Sequence, residues 1–206
     1  TMSHYTFDMK VFDKIHFLAC SAHKFHGPKG VGFLYKQRNL NIEPLIHGGG
    51  HEMGVRSGTL NVPGIIGMSY AYEILEKQRS IETEYINRLS KLFLDLLTKN
   101  NIKFDLNGPK IDRLVGNINI SIHNVDADWL TMMLPNIAMA RGSACTSETL
   151  QPSHVLRSIG VSDENANNAV RISLGRYTSE EEVFYAANKI SEKAKEYISK
   201  KASLAI

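Results

Sequence analysis

Three short clusters of polar and chemically reactive side chains stand between glycines in this 206-residue chain. The first reads SAHK at residues 21–24, the second combines HGGGHE at 47–52 with RSGT at 56–59, and the third reads RGSACTS at 141–147. A lysine amine can bond covalently to a carbonyl compound, and a cysteine thiolate is a nucleophile. Hydroxyls and backbone amides can hold a phosphate group. These clusters are the three places where such chemistry could occur.

Lys24 of the first cluster is predicted to lie at the end of a strand. Residues 15–19 predict a short buried strand and residues 31–35 a second one, with GPKG at 27–30 punctuating the join. The lysine would therefore sit on a rigid part of the fold. A lysine in this place is either a solvated surface charge or a group with a chemical role.

Cys145 of the third cluster lies among small and polar residues. A free cysteine is usually a small buried residue, but GSA before Cys145 and TSET after it are typical of a polar, mobile loop. An exposed loop cysteine is a candidate nucleophile if its surroundings lower its pKa. The only other cysteine is Cys20, and two cysteines make neither a disulfide framework nor a metal-binding spacing. We therefore expect a reducing, cytoplasmic setting.

The second cluster has two interpretations. His47 and His51 have the spacing of a helical zinc pair, but three intervening glycines disfavour a helix, and no third ligand is evident. The sequence therefore does not favour a metal site. Arg56, Ser57 and Thr59 suit either an ordinary turn before a helix or a cradle for a phosphate group.

Composition and charge exclude several classes of protein. The chain is 43% hydrophobic and 22% charged, as ordinary globular proteins are, and its formal net charge is only +3. That charge, with no basic run between aromatics, does not predict direct binding to nucleic acid. No apolar segment approaches membrane-spanning length, and the N-terminal residues lack the apolar core of a signal peptide.

Hydrophobic periodicity predicts helices and strands along the rest of the chain. A long helical pattern begins at residue 61, and Thr178 with Glu181 predicts a capping box for the last helix. A further helix is predicted between Pro152 and Gly160. The remaining predictions are strands at 102–106, 115–122, 137–140 and 169–174 and a helix at 127–134. The C-terminal part is therefore expected to be an α+β unit with helices over a small sheet.

Four blocks of this sequence resemble the cysteine desulfurases of the NifS/IscS type, in the order in which that family has them. They are SAHKFHGPKGVGFLY, HGGGHEMGVRSGTLNVPGIIG, RGSACTSETLQPSHVLRSIG and VRISLGRYTSEEEV. The family comprises pyridoxal-phosphate enzymes with the aspartate-aminotransferase fold, of class V. The resemblance implies an α/β chain in which residues 1–60 end the large cofactor domain. Residues 61–206 would then form a connecting helix and a small α+β domain with the cysteine loop.

The resemblance also implies which residues bind the cofactor, pyridoxal 5'-phosphate. Lys24 would carry the cofactor covalently, and Ser21 and His23 would hold its phosphate. Thr59 would reach the phosphate of the neighbouring subunit's cofactor, which implies a homodimer.

For the substrate, the resemblance implies L-cysteine. Arg171 would take its carboxylate, and Cys145 would accept its sulfur as a persulfide, with L-alanine as the other product. The persulfide would then pass to sulfur-acceptor proteins, in iron–sulfur cluster assembly or another pathway.

The sequence departs from the family at two points. Arg141 stands where the family often has a small hydroxyl residue, and it could depress the pKa of Cys145, bind an acidic acceptor or be a solvated charge. Family members are also about twice as long. Their N-terminal half supplies an aspartate for the cofactor ring, and neither Asp8 nor Asp13 fits that role.

Two functions therefore stay open from the sequence. The chain is either the C-terminal portion of a cysteine desulfurase or a truncated, non-catalytic paralogue that acts as an interaction or dimerisation partner. The retained Lys24, Cys145 and Arg171 favour the enzyme. In either case we expect the isolated chain not to sustain turnover.

Overall fold

The computed structural model describes Asp8, Lys10, residues 12–141 and residues 153–204. Contacts within the chain define two compact units, Thr1–Ile81 (unit 1) and Glu82–Ile206 (unit 2). The division falls within one long helix, α1, which spans Val62–Lys99. The expected domain boundary between residues 60 and 61 stays a prediction, since compact units of this chain need not coincide with the domains of a whole protein.

Unit 1 contains a two-stranded antiparallel sheet near its beginning. Strand β1 spans Phe17–Ser21 and strand β2 spans Gly32–Lys36, and Ser21 pairs with Gly32 at the end next to the connection. Both strands were predicted, one or two residues earlier. The prediction that β1 is buried is wrong, because its side chains alternate between exposed and half-buried. The apolar residues of this segment predicted that a strand forms, but they did not predict how far its side chains are buried.

Both ends of α1 carry capping signals that explain where the helix begins and ends. Asn61 Oδ1 accepts a hydrogen bond from the Gly64 amide at 3.1 Å, as an N-cap side chain does. At the other end, Asn101 has φ 56° and the Ile102 amide donates to the Leu97 carbonyl at 3.0 Å. This is the Schellman arrangement, in which a left-handed residue closes the helix.

Unit 2 is built on a four-stranded antiparallel sheet in the order β3-β4-β6-β5. Its strands are β3 (Phe104–Leu106), β4 (Asn117–Ile122), β5 (Ala140–Arg141) and β6 (Ala169–Ser173). Besides the end of α1, its helices are α2 (Ala127–Met133), α3 (His154–Ser158), α4 (Asp163–Asn167) and α5 (Glu180–Leu204). The expected α+β arrangement is therefore what unit 2 shows.

Strand β4 has one apolar face and one polar face. Its isoleucines at 118, 120 and 122 are all buried, and they belong to the core with α1 and α5. Asn117, Asn119 and Ser121 alternate with them and therefore lie on the opposite face of the sheet. The cross-strand neighbour of Asn119 on β6 is Arg171, so this arginine shares the polar face.

Two local predictions in unit 2 need correction, and one helix was missed. Strand β5 contains only Ala140–Arg141, and residues 137–139 precede it. The capping box of α5 is formed by Ser179 and Glu182: the Ser179 amide donates to Glu182 Oε2 at 2.8 Å, and the Glu182 amide to Ser179 Oγ at 3.1 Å. The hydroxyl of Thr178 instead accepts from the Gly175 amide. Helix α4 was not predicted, although Ser162 caps it by accepting from the Asn165 amide.

Over the described ranges 12–141 and 153–204, no helix is both long and apolar enough to cross a membrane.

Candidate functional site

The predicted lysine lies in a one-turn 3-10 helix, Ala22–Phe25, directly after β1. Ala22 and Phe25 are buried at 0% and 1% exposure and anchor this turn in a small apolar cluster with Leu75. Lys24 is exposed, so the turn directs its amine away from that cluster. The lysine therefore follows the strand end rather than belonging to the strand, but its backbone is anchored as predicted.

Two backbone hydrogen bonds hold the turn with Lys24 in place. The Gly27 amide donates to the Ala22 carbonyl at 2.9 Å, and the Ala22 amide donates to the Val31 carbonyl at 3.0 Å. His26 has φ 67°, and a Cβ at Gly27 would lie 2.8 Å from the Ala22 Cβ. A side chain at Gly27 would therefore displace the turn, which explains the need for glycine.

Ser21 and His23 lie beside Lys24 in the chain, and all three side chains are exposed. Within the part of the chain that the structure describes, none of the three makes a side-chain hydrogen bond or ion pair. A hydroxyl, an imidazole and an amine thus face outward within four consecutive positions of the sequence.

The second predicted cluster forms a folded loop around Ser57. Ser57 is 6% exposed, and its Oγ donates to the Gly49 carbonyl at 2.5 Å. Its amide donates to the Ile46 carbonyl at 3.2 Å, and Arg56 Nη1 donates to the Ser57 carbonyl at 2.9 Å. The Ser57 hydroxyl is thus used inside the loop. Thr59 is exposed, and no described residue contacts its hydroxyl by a hydrogen bond.

The histidines of this loop are not assembled with other metal ligands. His51 Nδ1 accepts a long contact from the Gly58 amide, at 3.4 Å. Across the described residues, no three histidine, cysteine, aspartate or glutamate side chains are grouped so as to hold a metal ion.

Arg171 lies in the middle of β6 on the polar face of the unit 2 sheet. Its cross-strand partners are Asn119 on β4 and Ala140 on β5. The side chain is exposed and forms no hydrogen bond or ion pair with any described residue. The register therefore places this arginine next to the strand that leads into the segment with Cys145.

Arg141 ends strand β5 and forms an ion pair with Asp128 in the first turn of α2. Its side chain is 34% exposed and that of Asp128 is 55% exposed. The sequence did not predict this ion pair, and the three roles that it left open for Arg141 stay predictions. Cys145 itself lies outside the described residues, so its predicted loop position stays a prediction.

The other cysteine, Cys20, is half-buried in β1. Burial raises the pKa of its thiol above the usual value. A thiol with a raised pKa stays protonated at neutral pH and is a poor nucleophile.

The sequence interpretation missed a polar network beside Arg171. Asn107 Nδ2 donates to Asn119 Oδ1 at 2.7 Å and to Ser121 Oγ at 2.9 Å, and Ser121 Oγ donates to the Asn165 carbonyl at 2.6 Å. The strict alternation NINISI at residues 117–122 was a signal for it, because alternation predicts that the two asparagines and the serine share one face.

Solved structures share this architecture. A NifS-like protein matches with a TM-score of 0.79 and 35% identity, over 93% of this chain and 49% of that chain. A NifS-like protein from Rickettsia africae ESF-5 matches with a TM-score of 0.79 and 28% identity, over 92% of this chain and 50% of that one. The chain therefore has the mixed α/β architecture of the pyridoxal-phosphate enzymes of fold type I, as predicted.

The chain belongs to the aminotransferase class-V family, whose model matches residues 1–185. The cysteine desulfurase IscS of Rickettsia africae (strain ESF-5) is 43% identical over 188 residues, or 90% of this chain and 46% of that protein. The cysteine desulfurase IscS of Pseudomonas putida (strain W619) is 44% identical over 181 residues, which cover 87% of this chain and 45% of that protein. The predicted resemblance to cysteine desulfurases is confirmed, and the chain spans about half the length of these curated relatives.

Proposed function

We propose that this chain carries the cofactor lysine, the carboxylate-binding arginine and the sulfur-accepting cysteine of a pyridoxal-phosphate-dependent cysteine desulfurase. The observation that carries the proposal is Arg171, which has no counter-charge among the described residues and lies directly across from Ala140 on the strand leading to Cys145. A cation held without a counter-charge on an ordered sheet is suited to bind an anionic substrate.

The residues around Lys24 fit pyridoxal phosphate. The cofactor has an aldehyde and a phosphate, and this turn offers an outward-facing amine, an imidazole and a hydroxyl, none of them paired with a described residue. Lys24 would hold the aldehyde carbon, and Ser21 and His23 the phosphate. Thr59, whose hydroxyl has no partner among the described residues, would serve the cofactor of a second subunit, so we propose a homodimer.

When bound, the cofactor supplies an electron sink for the charge that develops at the substrate Cα. The Lys24 amine would take the Cα proton and return a proton later, which requires a lysine on an anchored turn. Arg171 would bind the substrate carboxylate through its fork of N–H donors and thereby fix the orientation of the Cα bonds.

Cys145 would act as the nucleophile on the substrate sulfur. A sulfur–sulfur bond forms as the substrate's carbon–sulfur bond breaks, so that L-cysteine and the Cys145 thiol become L-alanine and a Cys145 persulfide. Cys145 lies four positions after Arg141, and an extended chain of that length reaches about 14 Å. The thiol could therefore meet a substrate held at Arg171 and then a sulfur-acceptor protein.

The experiment uses the completed enzyme, by which we mean residues 1–206 joined to or mixed with an N-terminal half. That half can be taken from the Rickettsia africae relative. L-cysteine is added with pyridoxal phosphate, and alanine and protein-bound sulfur are measured. Equal amounts of alanine and transferable sulfur would support the proposal. A completed enzyme that folds and takes up the cofactor but forms no alanine would overturn it and favour the interaction protein.

A further inference from the structure

Asn119 is a polar cross-strand partner of Arg171. The two residues are direct cross-strand partners on β4 and β6 and lie on the same polar face. Side chains at such positions have their Cβ atoms about 4.5–5.5 Å apart. A ligand that lies over this cross-strand pair on the polar face can therefore contact both side chains.

The direction of each hydrogen bond in the network determines which end of the Asn119 amide stays available. A carbonyl can only accept, so the hydroxyl of Ser121 must donate its single proton to Asn165 O, at 2.6 Å. Ser121 Oγ must then accept from Asn107, which therefore presents its NH2 group, at 2.9 Å. The other N–H of that group points to Asn119 at 2.7 Å, so Asn119 presents its oxygen there.

One further contact joins the backbones of Asn107 and Asn119, and another holds Asn107 itself. The backbone N–H of Asn107 donates to the backbone carbonyl of Asn119 at 2.8 Å. Asn107 therefore binds both the backbone and the side chain of Asn119. Asn107 is itself only 7% exposed, and Arg113 Nη1 donates to its carbonyl at 3.3 Å. The amide of Asn119 is therefore fixed by a buried residue.

The consequence is a pair of free donors. Asn119 Nδ2 has no acceptor among the described residues, and the Arg171 guanidinium has none either. Asn119 is half-buried, so an unused amide there has less access to water than one on an open surface. A guanidinium beside an amide NH2 offers only donors, and an anion with several acceptor oxygens, such as a carboxylate, satisfies both.

We infer that Asn119 supplies a second hydrogen-bond donor to the substrate carboxylate at Arg171, and that Asn107 positions it. The inference rests on the proposed function, because that function places a carboxylate at Arg171. The inference extends the proposed function, because it assigns recognition of the amino acid carboxylate to two side chains on adjacent strands instead of to Arg171 alone.

The test compares Asn119→Ala with Asn117→Ala in the completed enzyme. Asn117 is the matched control because it lies on the same strand and face, two positions away, and is exposed. A hydrogen bond to a charged group contributes about ten- to a hundred-fold in affinity, and the half-buried site favours the lower end. We expect Asn119→Ala to raise KM for L-cysteine about ten-fold with kcat changed less than about three-fold, and Asn117→Ala to change neither.

A second readout does not depend on turnover. The affinity of L-alanine, which has the carboxylate but no sulfur, is measured by calorimetry for the same variants. It should weaken about ten-fold in Asn119→Ala, and Asn107→Ala should show a smaller loss of the same kind. Asn119→Asp should weaken binding more than Asn119→Ala, because it places a negative charge beside the carboxylate. Thermal unfolding of each variant identifies any that fail to fold.

The outcomes separate this inference from the proposed function. If Arg171→Ala weakens L-alanine binding while Asn119→Ala and Asn119→Asp bind it like the wild type, the proposed function stands and the inference is overturned. If Arg171→Ala has no effect on binding or turnover, the proposed function itself fails.

Discussion

The two units of this chain support their candidate residues in different ways. Around Lys24, the cluster of fully buried apolar residues contains, among the described residues, Ala22, Phe25 and Leu75. Arg171 instead lies on a four-stranded sheet whose other face belongs to a core that runs from α1 to α5. Unit 2 can therefore hold Arg171 and Asn119 in position by its own packing. Unit 1 anchors the backbone of the lysine turn but leaves much apolar surface exposed, including Leu34 and Ile66 at 52% each.

The largest effect is expected at the lysine. In the completed enzyme, Lys24→Ala should lower alanine formation by at least about 10²–10⁴-fold, since it removes a positioned acid–base group as well as the covalent link to the cofactor. Visible absorption from bound cofactor should be lost as well. Lys29→Ala is the matched control, because Lys29 is an exposed lysine just beyond the same turn. Equal activity in both variants would remove Lys24 from the chemistry.

The second prediction separates the two cysteines. Incubation with L-cysteine, followed by thiol labelling and peptide mapping, should place the persulfide on Cys145 and not on Cys20. The physical reason is that burial raises the pKa of Cys20, so its thiol is protonated below that raised pKa and gains reactivity only as the pH rises through it. Cys145→Ser should abolish the persulfide and leave cofactor absorption intact. A persulfide that maps to Cys20 would reverse the assignment.

The third prediction compares the stability of the two units directly. Phe93 in unit 2 and Phe25 in unit 1 are the same residue type at 0% and 1% exposure. Phe93→Ala should lower the free energy of unfolding by about 3–5 kcal/mol, as large-to-small changes in a full core do. Phe25→Ala should affect the main transition less and increase hydrogen exchange mainly in residues 17–36. Urea unfolding and amide exchange measure both. A larger effect of Phe25→Ala on the main transition would refute the contrast between the units.

The smallest effect is expected at the ion pair between Arg141 and Asp128. Both side chains are partly exposed, and such pairs contribute about 0.2–1 kcal/mol. Asp128→Asn should therefore slow persulfide formation on Cys145 less than about five-fold, and added salt should reduce the difference because it screens the charges. Asp163→Asn, which breaks the pair with Arg157 elsewhere in unit 2, serves as the control. Complete loss of persulfide formation in Asp128→Asn would show that the pair has a stronger role.

Much of the fold could be predicted because local signals agreed with the final structure. The helical periodicity after Asn61 led to α1, and the strand predicted at 115–122 is β4, which begins two residues later. Burial of β1 could not be predicted, because it depends on what covers the sheet and not on the apolar run itself. The capping box lies one residue later than predicted. Thr178 and Ser179 both carry a hydroxyl three positions before a glutamate, so only the position at which the helix begins distinguishes them.

The candidate site was predicted less completely than the fold. Lys24 and Arg171 were predicted through motifs, and the structure adds that neither has a partner among the described residues. The relation of Arg171 to Asn119 and Ala140 depends on strand register, which pairs residues about fifty and thirty positions apart in the sequence. No local pattern shows such a register. No local pattern shows the ion pair of Arg141 with Asp128 either, because it joins a strand to a helix.

One measurement tests the central claim most directly, namely that this chain supplies the cofactor lysine of a cysteine desulfurase. The completed enzyme is mixed with pyridoxal phosphate, reduced with borohydride so that the cofactor stays attached to its amine, digested and mapped by mass spectrometry. We predict that the label lies on the peptide with Lys24, that Lys24→Arg removes it and that Lys29→Arg does not. A label on another lysine, or none on a folded protein, would contradict the account.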